Sequence, residues 1–193
     1  MEKRKMYKEL FNWIIVIISQ PAKAFYALSK KKEQEEEFLT RFVYPLIGLV
    51  TLSAFLGILF TRKEFDLELA LKASIKTLLS SFGGFFLSAY LLNEVWGNFF
   101  RKEKDMKLCQ RFVGYSSALM FALNTILMLL PEFFFLRIFV LYTVYIVWEG
   151  AVPYMKIEEE IRLKFVAVAT TLIVVIPELI NTTLFMLMPG LRI

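Results

Sequence analysis

Four ionisable residues sit inside otherwise apolar stretches of the chain: Glu94, Arg137, Glu149 and Glu178. A charge held in hydrocarbon is costly, so such a residue marks an ion pair, a proton relay or a substrate contact by default. Glu94 and Glu149 fall near the ends of their stretches, where headgroups and water reach them, and read as edge residues. Glu178 lies deeper, next to Pro177. Arg137 lies near one end of its own stretch, from which a long side chain can snorkel toward Glu178. Two accounts of Glu178 follow: a structural ion pair or protonated carboxyl, and a proton- or substrate-linked carboxylate. Little other chemistry is open. The chain has no His, which removes Ser-His and Cys-His nucleophiles and His-ligated zinc. Cys109 is the single Cys and has no disulfide partner within the chain. Glu159 and Glu160 lack further ligands, as does the charged block from Lys30 to Glu37. Both read as solvated helix, with pairs such as Lys32 and Glu36 at helical spacing. Gly83-Gly84 falls within an apolar run rather than between a strand and a helix, so it is no phosphate cradle. No catalytic residue, metal or cofactor is expected.

The elements that position these residues are membrane helices. The chain has 193 residues, 58% of them hydrophobic and 16% aromatic, beyond the apolar share of soluble domains. Residues 75–100 are apolar over more than the roughly 20 residues a helix needs to cross hydrocarbon. Further spans are expected at about 42–60, 112–130, 133–155 and 165–188. The fold class is therefore all-α and polytopic, with five transmembrane helices after an amphipathic, cytosolic helical region at residues 1–41. Ser80, Gly84 and Ser88 recur every four residues and form a small-residue stripe along which another helix can approach closely. Gly114, Ala118 and Ala122 form a second stripe that could face the first. Pro131-Glu132 allows only a tight turn, so the third and fourth spans are antiparallel neighbours. Pro177 removes a backbone donor and predicts a kink in the fifth.

Ahead of the spans, residues 10–18 are too short an apolar run to cross a bilayer and are expected in the interface, Lys5, Lys8 and Asn12 on one face and Phe11, Trp13, Ile14, Ile15 and Ile18 on the rest. Docking of this helix against the bundle would use the same amphipathic face. No small-residue cleavage pattern follows, so the amino terminus is expected to stay attached. Most of the 23 Lys and Arg flank the spans on the amino-terminal side, which places that side in the cytoplasm and the carboxyl terminus outside. The net charge of +5 points to anionic headgroups of the lipid bilayer at the cytoplasmic face rather than to nucleic acid, because the basic residues do not interleave with aromatics on one face. A membrane-protein partner or a second copy is left open as a protein partner.

The pattern resembles the Yip family, polytopic membrane proteins named for interaction with Ypt/Rab GTPases, and their bacterial relatives. Pro21-Ala22-Lys23-Ala24-Phe25 is similar to the Pro-x-x-x-Phe segment ahead of the membrane domain in bacterial members. Tyr44-Pro45-Leu46 stands where the family's Asp-Leu-Tyr-Gly-Pro motif enters the first span, with Phe42 and Val43 in place of its first residues. Gly114-Tyr115 is similar to its Gly-Tyr motif in the third span. The resemblance covers nearly the whole chain. It implies a non-enzymatic membrane-organising, adaptor or scaffold protein of the bacterial cytoplasmic (inner) membrane, with a membrane-shaping or trafficking-like role. The runner-up from the residues themselves is a small transporter or channel using Glu178.

Overall fold

The computed structural model describes residues 2–31, 35–61 and 66–187. Lys32, of the expected Lys32–Glu36 pair, and Met188, the expected end of the fifth span, lie outside the described residues. Among the described residues every regular element is helical, so the chain is an all-α polytopic membrane protein. Helices α1 (Glu2–Ser19) and α2 (Pro21–Lys30) come first, then the single turn α3 (Glu35–Phe38). Pro21 opens α2 at a position where its missing N–H would have had no helical partner anyway.

A π-helical turn (Leu39–Val43) joins α3 to α4 (Tyr44–Thr61) without a gap. Its cause is local. Pro45 has no N–H to offer the carbonyl four residues back, and its ring crowds that carbonyl, so the backbone widens and the Tyr44 N–H reaches the Leu39 oxygen instead. Helix α5 (Leu67–Asn98) is capped by Asp66, whose carboxylate accepts from the Leu69 N–H at 2.9 Å.

The apolar run at 112–130 is not one straight helix. It belongs to α6 (Met106–Ser116) and α7 (Ala118–Leu129), bent by 43° at Ser117. The Ser117 hydroxyl donates to the Val113 carbonyl at 2.7 Å, a bond that competes with the helical ladder and bends it. Leu130 closes α7 and a 3₁₀ helix (Pro131–Leu141) returns at once, continuing into α8 (Tyr142–Ala151). The 3₁₀ segment buries none of its side chains, and Phe134, Phe135 and Ile138 stand exposed along it. Such a ridge suits contact with lipid tails. Helix α9 (Glu159–Leu187) continues through Pro177. Among the described residues four helices are long and apolar enough to cross a membrane, and the bent pair α6 and α7 makes a fifth if it counts as one span.

The chain alternates direction through these helices, so α1–α3, the 99–105 loop and the 152–158 loop gather at one end, here called the cap end. Lys102 pairs with Glu158 across it at 2.8 Å. The tightest helix contacts rest on glycines. A Cβ at Gly57 would overlap the Met128 carbonyl, fixing α4 on α7. A Cβ at Gly84 would come within 2.8 Å of the Pro177 Cα, fixing α5 on α9. The Ser88 hydroxyl adds a 2.8 Å bond to the Leu172 carbonyl. The first small-residue stripe thus meets α9 rather than the second stripe, which the break at Ser117 splits between two helices.

Candidate functional site

Two parts of the bundle carry the residues that the sequence singles out. The first is an aromatic junction at the cap end. Phe25 of α2 is fully buried, its ring 5.8 Å from Phe112 and 5.9 Å from Tyr154 between centroids. Room for it exists because residue 150 is glycine: a Cβ there would lie 2.9 Å from the Phe25 ring carbons. Phe38 of α3 is likewise fully buried and takes the space beside Gly114, where a Cβ would lie 2.5 Å from the Phe38 Cζ. Tyr115 meets Phe38 at 5.0 Å and Phe42 at 4.8 Å. Edge-on aromatic pairs of this kind add about 0.5–1.5 kcal/mol each beyond burial. Phe25, Gly114 and Tyr115 therefore lie along one seam between the cap helices and the bundle, and Pro21, also buried, opens the helix that carries Phe25. Tyr44 stands apart, half-exposed and stacked on Phe82 at 6.3 Å, and Pro45 shapes the turn before it.

Around this seam α1 packs Leu10, Ile14 and Ile17 inward, and the Tyr142 hydroxyl donates to its Ile18 carbonyl at 3.1 Å. The flank of α1 beside that face presents Tyr7, Phe11 and Ile15 to the outside. These recur every four residues, so they form one apolar line. Glu94 and Glu149 lie at the same end. Glu94 is held by the Lys104 ammonium, 2.7 Å from both carboxylate oxygens. Glu149 lies in the last turn of α8 and makes no ion pair among the described residues. Beside it Arg162 ties α9 to α8, donating to the Trp148 carbonyl at 2.9 Å and stacking over the Trp148 ring at 4.2 Å.

The second part is a polar cavity at mid-depth, extending toward the end away from the cap. It offers about 90 Å³ to water, several times the ~10–15 Å³ that one water requires. Thr77 and Ser80 line it from α5, Ser117 and Asn124 from α7 and its N-cap, and Asn181 from α9. Arg137 and Glu178 both line it as well, yet no ion pair or hydrogen bond joins them among the described residues. Lys76, within electrostatic reach of Glu178, places its ammonium over the Phe185 ring at 5.5 Å instead. The Thr77 hydroxyl is buried and has no hydrogen-bond partner. Sequence reasoning passed over Thr77, Asn124 and Asn181, although an amide inside an apolar run is itself a signal. Gly150 and Phe38 carried none, since their roles depend on segments distant in the chain. Among the described residues no cluster of potential metal ligands occurs.

These features define a class: a polytopic α-helical membrane protein whose amphipathic amino-terminal helices are keyed by aromatic rings onto a bundle that encloses a polar cavity. Within that class the chain belongs to the Yip1 domain family, whose model matches residues 15–179. The matched region takes in both the aromatic seam and the cavity. A search of curated proteins found no match, and neither did a search of solved structures.

Proposed function

We propose that this protein is a non-enzymatic membrane organiser or adaptor whose working surface is the cap, held at the cytoplasmic face of a bacterial inner membrane with the carboxyl terminus on the other side. The observation that carries this reading is the outward line of Tyr7, Phe11 and Ile15 on a helix whose adjoining face, Leu10, Ile14 and Ile17, packs on the bundle. An interfacial helix inserts its apolar face at the headgroup boundary. Here the seam at Phe25 and Phe38 fixes where that face points. Exposed lysines at the same end, among them Lys8, Lys23 and Lys156, supply attraction to anionic headgroups, worth about 1 kcal/mol for each residue near the surface. A rigid wedge of this kind crowds one leaflet, which is how it would shape or organise the bilayer.

The test is depth measurement on the whole protein in liposomes containing phosphatidylglycerol. Nitroxides are attached through Phe11→Cys, Ile15→Cys and Asn12→Cys; Cys109 is buried and does not compete for the label. Probes at 11 and 15 are expected to be relaxed by oxygen and shielded from a water-soluble nickel chelate, and the probe at 12 to be more open to the chelate. Equal access of the chelate to all three would refute the reading.

A second reading, a small transporter or channel, is favoured by one observation, the placement of Glu178 and Arg137 on a polar cavity. Solute or ion flux in proteoliposomes tests it. Glu178→Gln should then abolish flux in protein that accumulates normally, and unaltered flux would remove the carboxylate from the mechanism.

A further inference from the structure

The polar cavity is lined by an acidic and a basic side chain that do not pair with each other. Arg137 rises from the 3₁₀ segment and Glu178 from the turn after Pro177, and both side chains line the cavity without forming a pair. Lys76, whose charge reaches Glu178, is directed onto Phe185. Deeper in, the Thr77 hydroxyl, 3% exposed as a residue, lacks a partner. A buried hydroxyl without a partner is costly, and a polar guest in the space relieves that cost.

We propose that the cavity binds an ammonium–phosphate zwitterion, the headgroup chemistry of phosphatidylethanolamine. The phosphate sits on the Arg137 guanidinium, which suits it in shape and charge. The ammonium sits on the Glu178 carboxylate, and Thr77 with Asn124 or Asn181 meets the remaining oxygens directly or through water. The same zwitterion exists free in water as glycerophosphoethanolamine. The bilayer is the favoured source, because Arg137 extends from a segment whose exposed Phe134, Phe135 and Ile138 suit lipid tails. The site lies at the opposite end from the α1 wedge and stands or falls independently of it.

The experiment is native mass spectrometry of the full-length protein released from detergent. The probes are phosphatidylethanolamine and phosphatidylglycerol with identical tails, and glycerophosphoethanolamine as a soluble competitor. The wild type is expected to retain phosphatidylethanolamine about tenfold over phosphatidylglycerol, the equivalent of one charged hydrogen bond. Glu178→Gln removes that preference, and Arg137→Gln weakens both lipids about tenfold. A readout without any variant guards against misfolding: carbodiimide modification of Glu178 in the wild type is slowed by added phosphatidylethanolamine. Displacement by the soluble competitor assigns the guest to water, and resistance to it assigns the guest to the bilayer. Both keep the zwitterion site. Equal retention of the two lipids, with carbodiimide modification unaffected by either, would overturn it.

Discussion

Gly84 of α5 and Pro177 of α9 meet backbone to ring, so closely that a Cβ at Gly84 would lie 2.7 Å from the Pro177 Cβ and 2.8 Å from its Cα. A flexible side chain could yield, but a proline ring and a main-chain carbon cannot. Gly84→Ala is therefore expected to force the two helices apart and to destabilise the protein by about 1–3 kcal/mol, the usual cost of overpacking. Gly48→Ala provides the contrast. Nothing lies within 4 Å of a Cβ there, and alanine is about 0.5–1 kcal/mol better than glycine inside a helix. Thermal unfolding in detergent should show opposite shifts for the two variants.

Phe25→Ala empties the slot beside Gly150 and should cost about 3–5 kcal/mol locally. The loss falls on the seam rather than on the α5–α9 contact. Hydrogen exchange is expected to speed up across α1 and α2 while the middle of α5 stays protected. Gly150→Ala should produce the same pattern from the other side, by pushing the Phe25 ring out of its place.

Arg162→Lys keeps the charge but loses the planar group that both stacks on Trp148 and donates to its carbonyl. The cost is about 1–3 kcal/mol for the carbonyl left unmet and the stacking lost. Trp148 fluorescence should change, with α8 and α9 less firmly joined in exchange measurements at the cap end.

The Glu158 carboxyl is held below its ordinary range, first by the hydrogen bond from Lys102 and then by that residue's charge. A carboxyl depressed in the folded state adds stability above its unfolded value, and that stability is lost as pH falls through the folded one. Melting temperatures compared at neutral pH and at pH below the carboxylate range should therefore fall for the wild type. Lys102→Met should reduce the part of the fall that comes from this pair. Both groups are at the surface, so the difference is expected to shrink in high salt.

What could be read directly from residues was whatever lipid imposes locally. Apolar length announced the long helices, because a span must satisfy its own backbone bonds and clothe itself in hydrocarbon. The four-residue recurrence of Ser80, Gly84 and Ser88 announced a close approach. What the line approaches was not legible, since Pro177 lies far along the chain and its ring looked like a kink rather than a floor. The bend at Ser117 was hidden in the same way: one serine among apolar neighbours carries no visible sign that its hydroxyl turns back on Val113. Arg137 and Glu178 were legible as misplaced charges. Their sharing of a cavity without joining required the geometry of the 3₁₀ return, whose three-residue repeat replaces the α-helical one over a run that composition alone does not distinguish.

The Phe25 slot has a floor made of Phe112, Tyr154 and Gly150, residues synthesised long after α2 leaves the ribosome. The first helices therefore wait, greasy faces uncovered, until the fourth membrane segment is in place. Closure of the slot therefore reports that the segments carrying Phe112 and Gly150 have come together at that end.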